Sequence, residues 1–185
     1  MKELSLNVLD IVENSTKAGA SLVEITLSED TVAQTLIIEI KDNGHGMSPE
    51  LLACVTDPFT TTRTTRKVGL GLPLFKMAAE QTGGRLVIES TVGVGTTVCA
   101  VFHTDHLDFT PVGDMGETFS VLLLGHLETD FVYMRSSDEQ SFTLSTMEMR
   151  EMLGDVSLAS PEVLQWTVQY INEQTEALRI GGATK

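Results

Sequence analysis

The sequence predicts an α+β protein, because its hydrophobic residues recur with two different periods along the chain. Residues 4–18 repeat apolar side chains at helical spacing, with polar side chains between them. Residues 21–28 alternate polar and apolar side chains, as a half-buried strand does. A predicted hairpin and two more predicted helices follow residue 104, so both element types occur in both parts of the chain.

The individual elements follow from these periods and from glycine and proline signals at their ends. Gly19 and Gly154 each follow a helical pattern and suit its C-terminal cap, while Ser160 and Pro161 suit a helix start. Helices are predicted over residues 4–18, 51–55, 69–81, 146–153 and 161–178. Strands are predicted over residues 21–28, 34–41, 85–90, 96–103, 131–135 and 140–144.

Composition excludes several classes of function. The chain has 12 Lys and Arg residues against 26 Asp and Glu residues, which gives a net charge of -14. A surface this acidic repels nucleic-acid phosphates and anionic lipids, so we expect no nucleic-acid partner and no membrane attachment. The start lacks the apolar run of a signal peptide, and Cys54 and Cys99 have no metal-like spacing. We therefore expect a cytoplasmic protein.

Acidic residues are concentrated in the second part of the chain. Residues 1–104 carry 8 basic and 12 acidic groups, whereas residues 105–185 carry 4 and 14. We therefore predict an N-terminal domain over 1–104 and a small acidic α+β extension over 105–185. The acidity of the extension suits a basic protein partner, or only solubility.

Residues 42–47 follow a predicted strand and suit the recognition of a flat base. Asp42 only accepts hydrogen bonds, which fits a ligand with an exocyclic amine such as adenine. Gly44 and Gly46 remove side-chain bulk, and Met47 can pack on an aromatic ring. An ordinary tight turn is the alternative interpretation. Thr96 would place a hydroxyl beside Asp42 if their strands are neighbours.

The first helix carries polar groups on one face. Asp10 and Asn14 are four residues apart, and Lys17 follows one turn later. A carboxylate and an amide so placed can hold a water molecule and a hard cation side by side. The alternative is the solvated face of an amphipathic helix.

A threonine-rich segment, residues 57–68, holds three of the twelve cations and precedes a glycine-rich helix start. Clustered cations in an acidic protein favour an anionic ligand, and a glycine-rich loop before a helix can cradle phosphate. Residues 69–72 match neither a Walker A loop nor a dinucleotide fingerprint. A solvated loop with a chance charge run is the alternative.

Together, residues 10–15, 42–47, 69–72 and 93–97 resemble the sequence boxes of the GHKL ATPase superfamily. This superfamily includes gyrase B, heat-shock chaperones, histidine kinases and MutL proteins. The resemblance covers residues 1–104 and implies the Bergerat fold, a two-layer α/β sandwich with a mixed sheet, helices on one face, and ATP between sheet and lid. It is similar to the histidine-kinase-like ATPase domain found alone in small bacterial regulators.

The resemblance also implies roles for individual residues. Asn14 would coordinate Mg²⁺, and Asp42 would accept from the adenine amine with Thr96 supporting through water. Gly44, Gly46 and Met47 would border the base. The residues implied at the phosphates are Lys17, Arg63, Arg66, Lys67, Gly69, Leu70, Gly71 and Leu72.

One position departs from the superfamily pattern. The hydrolytic members carry a glutamate as general base four residues before the asparagine, and here that position is Asp10, which is one methylene shorter. Glu13 is rotated by about 100° from Asn14 and is a poorer candidate. Because the first box begins ten residues from the start, we expect no phosphoacceptor helix before it.

Three functions are open from the sequence. The first is a regulatory ATPase or protein-kinase-like, anti-sigma-like factor that binds Mg²⁺ and ATP. The second is a nucleotide-sensing interaction module without significant catalysis, and the third is a structural protein that only keeps the fold. For the first two we expect a protein partner bound through the lid or the acidic extension, and a homodimer is allowed.

Overall fold

The structure, a computed structural model, describes residues 3–56 and 70–182. Every predicted element that lies in these residues is present, with ends shifted by a few residues. The helices are α1 (Leu4–Lys17), α2 (Pro49–Cys54), α3 (Gly71–Gln81), α4 (Met115–Gly125), α5 (Thr146–Leu153) and α6 (Pro161–Gly182). The strands are β1 (Leu22–Asp30), β2 (Thr35–Asp42), β3 (Arg85–Thr91), β4 (Gly95–His103), β5 (Asp130–Ser137) and β6 (Gln140–Ser145).

The six strands form one mixed sheet in the order β3-β4-β2-β1-β5-β6. β1 pairs antiparallel with β2 and parallel with β5, and the remaining neighbours are antiparallel. The β2–β4 register places Asp42 opposite Thr96. The two strands are neighbours, which meets the condition for Thr96 to lie beside Asp42.

One face of the sheet is buried under helices, because apolar residues occupy alternate positions on each strand. Val23, Ile25 and Leu27 of β1 are almost completely buried, and intervening residues such as Glu24 are partly exposed. α3, α1, α4 and α6 lie side by side over the buried face, with α3 over β3 and β4 and α6 over β5 and β6. The prediction of a two-layer α+β sandwich is confirmed.

α4 is the element that the sequence patterns did not predict. Its apolar residues include the continuous run at residues 121–124, which shows no clear helical period. The helix nevertheless begins at a normal N-cap, since the Asp114 side chain accepts from the Glu117 amide at 2.9 Å. Because α4 packs against both α1 and α6, it buries more than one side, which hides the amphipathic pattern.

The residues after 106 share the sheet and the core of the residues before it. β5 lies directly beside β1, and Phe131 of β5 packs edge-to-face against Phe119 of α4 at 6.1 Å. The first amides of α1, at Leu4 and Ser5, donate to the carbonyls of residues 111 and 112 at 2.9 and 2.7 Å. The predicted division near residue 104 stays a prediction about domains.

Among residues 3–56 and 70–182, no helix has both the length and the apolar character needed to cross a bilayer.

Candidate functional site

Asp42, at the end of β2, is the centre of a hydrogen-bond network. The Ser15 hydroxyl of α1 donates to Oδ2 of Asp42 at 2.6 Å. The Gly44 and Thr96 amides donate to Oδ1 at 2.9 and 3.3 Å. An ionised carboxylate has about four acceptor positions, so three internal donors fix its orientation and leave room for a further donor.

A second network ties the 42–47 loop to the β3–β4 hairpin. The Met47 amide donates to the Ser90 hydroxyl at 2.8 Å, and this hydroxyl lies 2.8 Å from Oγ1 of Thr96. Ser90 also donates to the Gly95 carbonyl at 3.1 Å. Thr96 therefore contributes its amide to Asp42 and its hydroxyl to the contact with Ser90, so the two ends of the loop attach to the two strands of one hairpin.

The loop passes so close to its neighbours that glycine is required at one position. Gly46 has φ +68°, and a Cβ there would lie 2.1 Å from the carbonyl oxygen of Thr91. Gly44 is also tight, since an added Cβ would lie 3.0 Å from the Cβ of Ala18. The His45 amide donates to the Ala18 carbonyl at 2.9 Å, which fixes the loop to the end of α1.

A cleft of about 470 Å³ opens between α1, α2, the 42–47 loop and the start of α3. This volume lies in the range of small-molecule sites. Its walls are mainly apolar, and its polar groups come from the end of α1 and from two strands. The apolar wall includes Ile11, Val55, Leu72 and Val98, and the polar lining includes Asn14, Ser15, Lys17, Asp42 and Thr96.

Most of the predicted site residues that can be located lie together. The cleft is lined by Asn14, Lys17, Asp42, Gly46, Met47, Leu72 and Thr96, and Gly44 lies directly behind Asp42. Gly71 is buried at the start of α3, whereas the preceding Leu70 is 63% exposed. The predicted phosphate-side residues Arg63, Arg66, Lys67 and Gly69 fall outside the described residues.

Asp10 lies against the N-terminus of α3. A Cβ added to Gly71 would be 2.9 Å from the Cβ of Asp10, so this helix start fits only a residue without a side chain. Asp10 is exposed and does not line the cleft. It therefore sits beside the backbone amides that a helix N-terminus offers to an anion, at the rim of the cleft.

Glu13, the other acidic residue of α1, is engaged outside the cleft. Nε2 of His126, just after α4, lies 2.7 Å from Oε1 of Glu13, and Nζ of Lys17 lies 3.6 Å from Oε2. The hydrogen bond with His126 lowers the pKa of Glu13, against the opposing effect of partial burial. Glu13 thus joins the cleft helix to the part of the chain beyond β4.

Within the described residues, no group of three or more His, Cys, Asp or Glu side chains is arranged to hold a metal ion. A single amide ligand at Asn14 could hold Mg²⁺ only together with water and an anionic ligand, which is the usual way that magnesium binds beside phosphates. The donor set therefore fits a metal that arrives with its ligand.

The arrangement combines a fixed carboxylate acceptor, an apolar wall, an amide and a lysine in one cleft. Comparison with known protein families identifies the family of this chain. The family described as histidine kinase-, DNA gyrase B- and HSP90-like ATPase matches residues 2–106, which is more than half of the chain. The protein belongs to this ATPase family. The family match over residues 2–106 implies ATP binding, and the sequence resemblance is confirmed.

Curated relatives match the same part of the chain. Sensor protein SrrB of Staphylococcus aureus is 38% identical over 102 residues, which are 52% of this chain and 17% of that protein. The chain thus spans less than a fifth of the length of this relative.

One solved structure extends the similarity in fold to more of the chain. The N-terminal domain of a DNA repair protein superposes with a TM-score of 0.57 at 19% identity, covering 80% of this chain and 53% of that one. The Aquifex aeolicus MutL ATPase domain, complexed with ADP, gives a TM-score of 0.48 at 18% identity, covering 78% and 63%. The first similarity supports the Bergerat fold predicted for this ATPase family.

Sequence reasoning did not assign Ser15 and Ser90 to the site. Ser15 follows Asn14 directly, so the same helical turn carries both, but its contact depends on how β2 meets α1. Ser90 could have been located by counting outward from the 91–95 turn, because an antiparallel hairpin places it opposite Thr96.

Proposed function

We propose that the cleft binds Mg²⁺-ATP with its base at Asp42, and that this protein is a regulatory ATPase or protein-kinase-like factor. The observation that carries the proposal is the hydrogen bonding of Asp42. Two amides and one hydroxyl hold this carboxylate at the floor of a cleft with apolar walls. The acceptor capacity that remains suits an exocyclic amine, and the apolar walls suit a flat purine.

The phosphate end of the nucleotide is assigned to the other polar groups of the cleft. Asn14 and Lys17 line it on α1, and Leu72 lines it in the first turn of α3. Asn14 would offer an amide oxygen to Mg²⁺, and Lys17 and the amides at the start of α3 would meet the phosphates. Bound Mg²⁺ would supply neutralisation of phosphate charge. In this proposal Arg63, Arg66, Lys67 and Gly69 complete the phosphate side as parts of a lid.

Whether ATP is hydrolysed depends on Asp10 in this proposal. Asp10 is exposed beside the start of α3 and does not line the cleft, and Glu13 is held by His126. Neither carboxylate lines the cleft, where a general base would have to activate the attacking water. This observation favours the second candidate function, a nucleotide-sensing module that binds ATP and hydrolyses it slowly.

The substitution Asp42→Asn tests binding. An asparagine can still accept from the Gly44 and Thr96 amides and donate to Ser15, so we expect the fold to persist. It presents an N–H group to the adenine amine, and we expect ATP affinity to fall about 100-fold by calorimetry. Asp30→Asn, an exposed turn residue at the far end of β1, is the matched control. An unchanged affinity in Asp42→Asn, with the melting curve intact, would overturn the proposal.

A phosphate-release assay separates the two candidate functions. An ATPase or kinase-like factor that uses Asp10 loses most of its turnover in Asp10→Ala, while ATP affinity stays nearly unchanged. Equal slow rates in both proteins would favour the sensor.

Titrating Mg²⁺ into the ATP complex of Asn14→Ala tests the metal assignment, because this variant should lose the Mg²⁺ dependence of ATP binding.

A further inference from the structure

β6 forms one edge of the sheet, and its outer side is open. Among residues 3–56 and 70–182, the backbone of Gln140–Ser145 hydrogen-bonds within the sheet only to β5. Ser141 and Thr143 are exposed, and the strand contains neither proline nor lysine, the residues that commonly block an edge. Such a strand presents a row of amides and carbonyls that can pair with an extended chain.

An aromatic pair overhangs this open edge. Trp166 and Tyr170 of α6 stack with ring centroids 4.9 Å apart and an interplanar angle of 15°. Tyr170 packs edge-to-face on Phe142 of β6 at 6.2 Å. Trp166 remains 47% exposed. A chain paired with β6 would therefore run beside the indole ring.

Helical geometry places the pair on the side of α6 that faces away from α4. Val168 and Asn172 lie against Gly116, so they mark the side of α6 that contacts α4. Trp166 and Tyr170 project from the opposite side at 100° per residue. Since α6 is the last helix of the layer, that opposite side lies over the outer edge of β6.

The charges around this edge are acidic. Glu162 and Glu173 lie one and two turns from Trp166 on the same side of α6 and are exposed. The basic residues of this region are occupied, because Arg135 is buried, Arg150 bonds Asp130, and Arg179 pairs with Glu176. An acidic rim around an exposed indole favours a cationic occupant, which can also stack on the ring.

We propose that the β6 edge and the Trp166–Tyr170 pair form a docking site for an extended, basic peptide segment of a partner protein. The segment adds a seventh strand beside β6 and places a lysine or arginine against Trp166. A second copy of this chain fits poorly, because each copy carries a net charge of -14. This proposal does not depend on the nucleotide cleft, so each of the two proposals can fail without affecting the other.

Trp166 provides the measurement, since it is the only tryptophan of the chain. The probe is a synthetic peptide in which lysine and valine alternate, so that it contains no fluorophore. We expect a saturable change in Trp166 fluorescence with this peptide and none with a glutamate–valine peptide of equal length. A lysine–valine peptide with a central proline should bind at least tenfold more weakly, because proline removes a ladder donor.

Two variants locate the site. Glu173→Lys should weaken binding of the lysine–valine peptide at least fivefold. Glu80→Lys on α3 should leave this binding unchanged, although both substitutions alter the net charge equally. Trp166→Ala should weaken binding at least tenfold by calorimetry. Met77→Ala, which removes an exposed apolar side chain from α3, is its matched control.

Amide hydrogen exchange tests strand addition directly. The bound peptide should slow exchange in residues 140–145 and leave residues 85–91, on the opposite edge, unaffected. Equal binding of the proline peptide, or no protection of residues 140–145, would overturn strand addition. Equal binding of the acidic peptide would overturn the charge argument, and self-association without peptide would overturn the choice of occupant.

Discussion

The inner face of the sheet has two regions that differ in chemistry. Where β2 ends, the buried face becomes polar, with Asp42, Thr96, Ser90 and Ser15 bonded to one another. Under α4 and α6 the buried face is lined with aromatic side chains. Phe131 and Tyr133 of β5 are fully buried there, in contact with Phe119. The cleft of about 470 Å³ lies beside the first of these regions.

The difference indicates that the aromatic region of the sheet contributes mainly to stability and the polar region mainly to ligand binding. Aromatic rings bury much apolar surface and hold the layers together without leaving space. A polar network at a strand end contributes less packing, but it fixes acceptors toward an open volume. We therefore expect substitutions in the aromatic region to change stability, and substitutions in the polar region to change ligand affinity.

Phe131→Ala should give the largest effect, on stability. Removing this fully buried ring leaves a cavity beside Phe119, and we expect a loss of about 3–5 kcal/mol in urea unfolding. Met134→Ala, on the exposed face of the same strand, should cost less than about 1 kcal/mol. A large loss of ATP affinity in the folded fraction of Phe131→Ala would break the proposed division.

Gly46→Ala should damage both stability and binding. The substitution combines a left-handed backbone with a contact of 2.1 Å to the Thr91 carbonyl, so the 42–47 loop must move. We expect at least about 2 kcal/mol of destabilisation and a clear loss of ATP affinity. Gly93→Ala is the control, because Gly93 has a similar φ of +76° and no atom within 4 Å of the added Cβ. It should cost only about 1 kcal/mol.

Ser15→Ala should weaken ATP binding with little effect on folding. The change removes the donor at 2.6 Å from Oδ2 of Asp42, so the carboxylate is held less firmly, by the two amides that donate to Oδ1. We expect about a 3- to 10-fold loss in ATP affinity by calorimetry and about 1 kcal/mol in stability. Thr16→Ala removes a hydroxyl that donates within its own helix, to the Glu13 carbonyl at 3.0 Å, and should leave ATP affinity unchanged.

The contact between Glu13 and His126 should give the smallest effect, seen as a pH dependence. Because the folded state lowers the pKa of Glu13, its contribution to stability is present above the unfolded pKa near 4.5 and is lost as the pH falls through the folded pKa. Glu13→Gln should therefore narrow the difference in unfolding free energy between pH 7 and pH 3, by less than about 1 kcal/mol. Glu80→Gln, in an exposed pair with Lys76, should not narrow it.

Local signals were sufficient to predict most of the fold. The periods of residues 4–18 and 21–28 and the glycine caps located helices and strands to within a few residues. α4 was missed because a helix packed on several sides loses its polar stripe. The β5–β1 pairing joins strands about a hundred residues apart, and no local pattern specifies such a parallel neighbour.

Residues of the candidate site were predictable from the sequence where the chemistry of one side chain is enough to indicate its role. Asp42, the glycines beside it and Asn14 carry recognisable chemistry within short segments. Ser15 and Ser90 contribute only through strand register and helix placement, so their single hydroxyls gave no signal. The His126 contact with Glu13 likewise depends on tertiary packing, because the two residues are 113 positions apart.

The position of β1 has a practical consequence for dissecting this protein. It lies in the middle of the sheet, with β2 on one side and β5 on the other. A chain truncated at residue 106 would keep the segment that matches the ATPase family. It would lose β5, the strand that pairs with β1. As an edge strand, β1 would expose Val23, Ile25 and Leu27 together with unpaired backbone groups. Such an edge is prone to aggregation. Biochemical work on nucleotide binding should therefore keep the chain intact through α6.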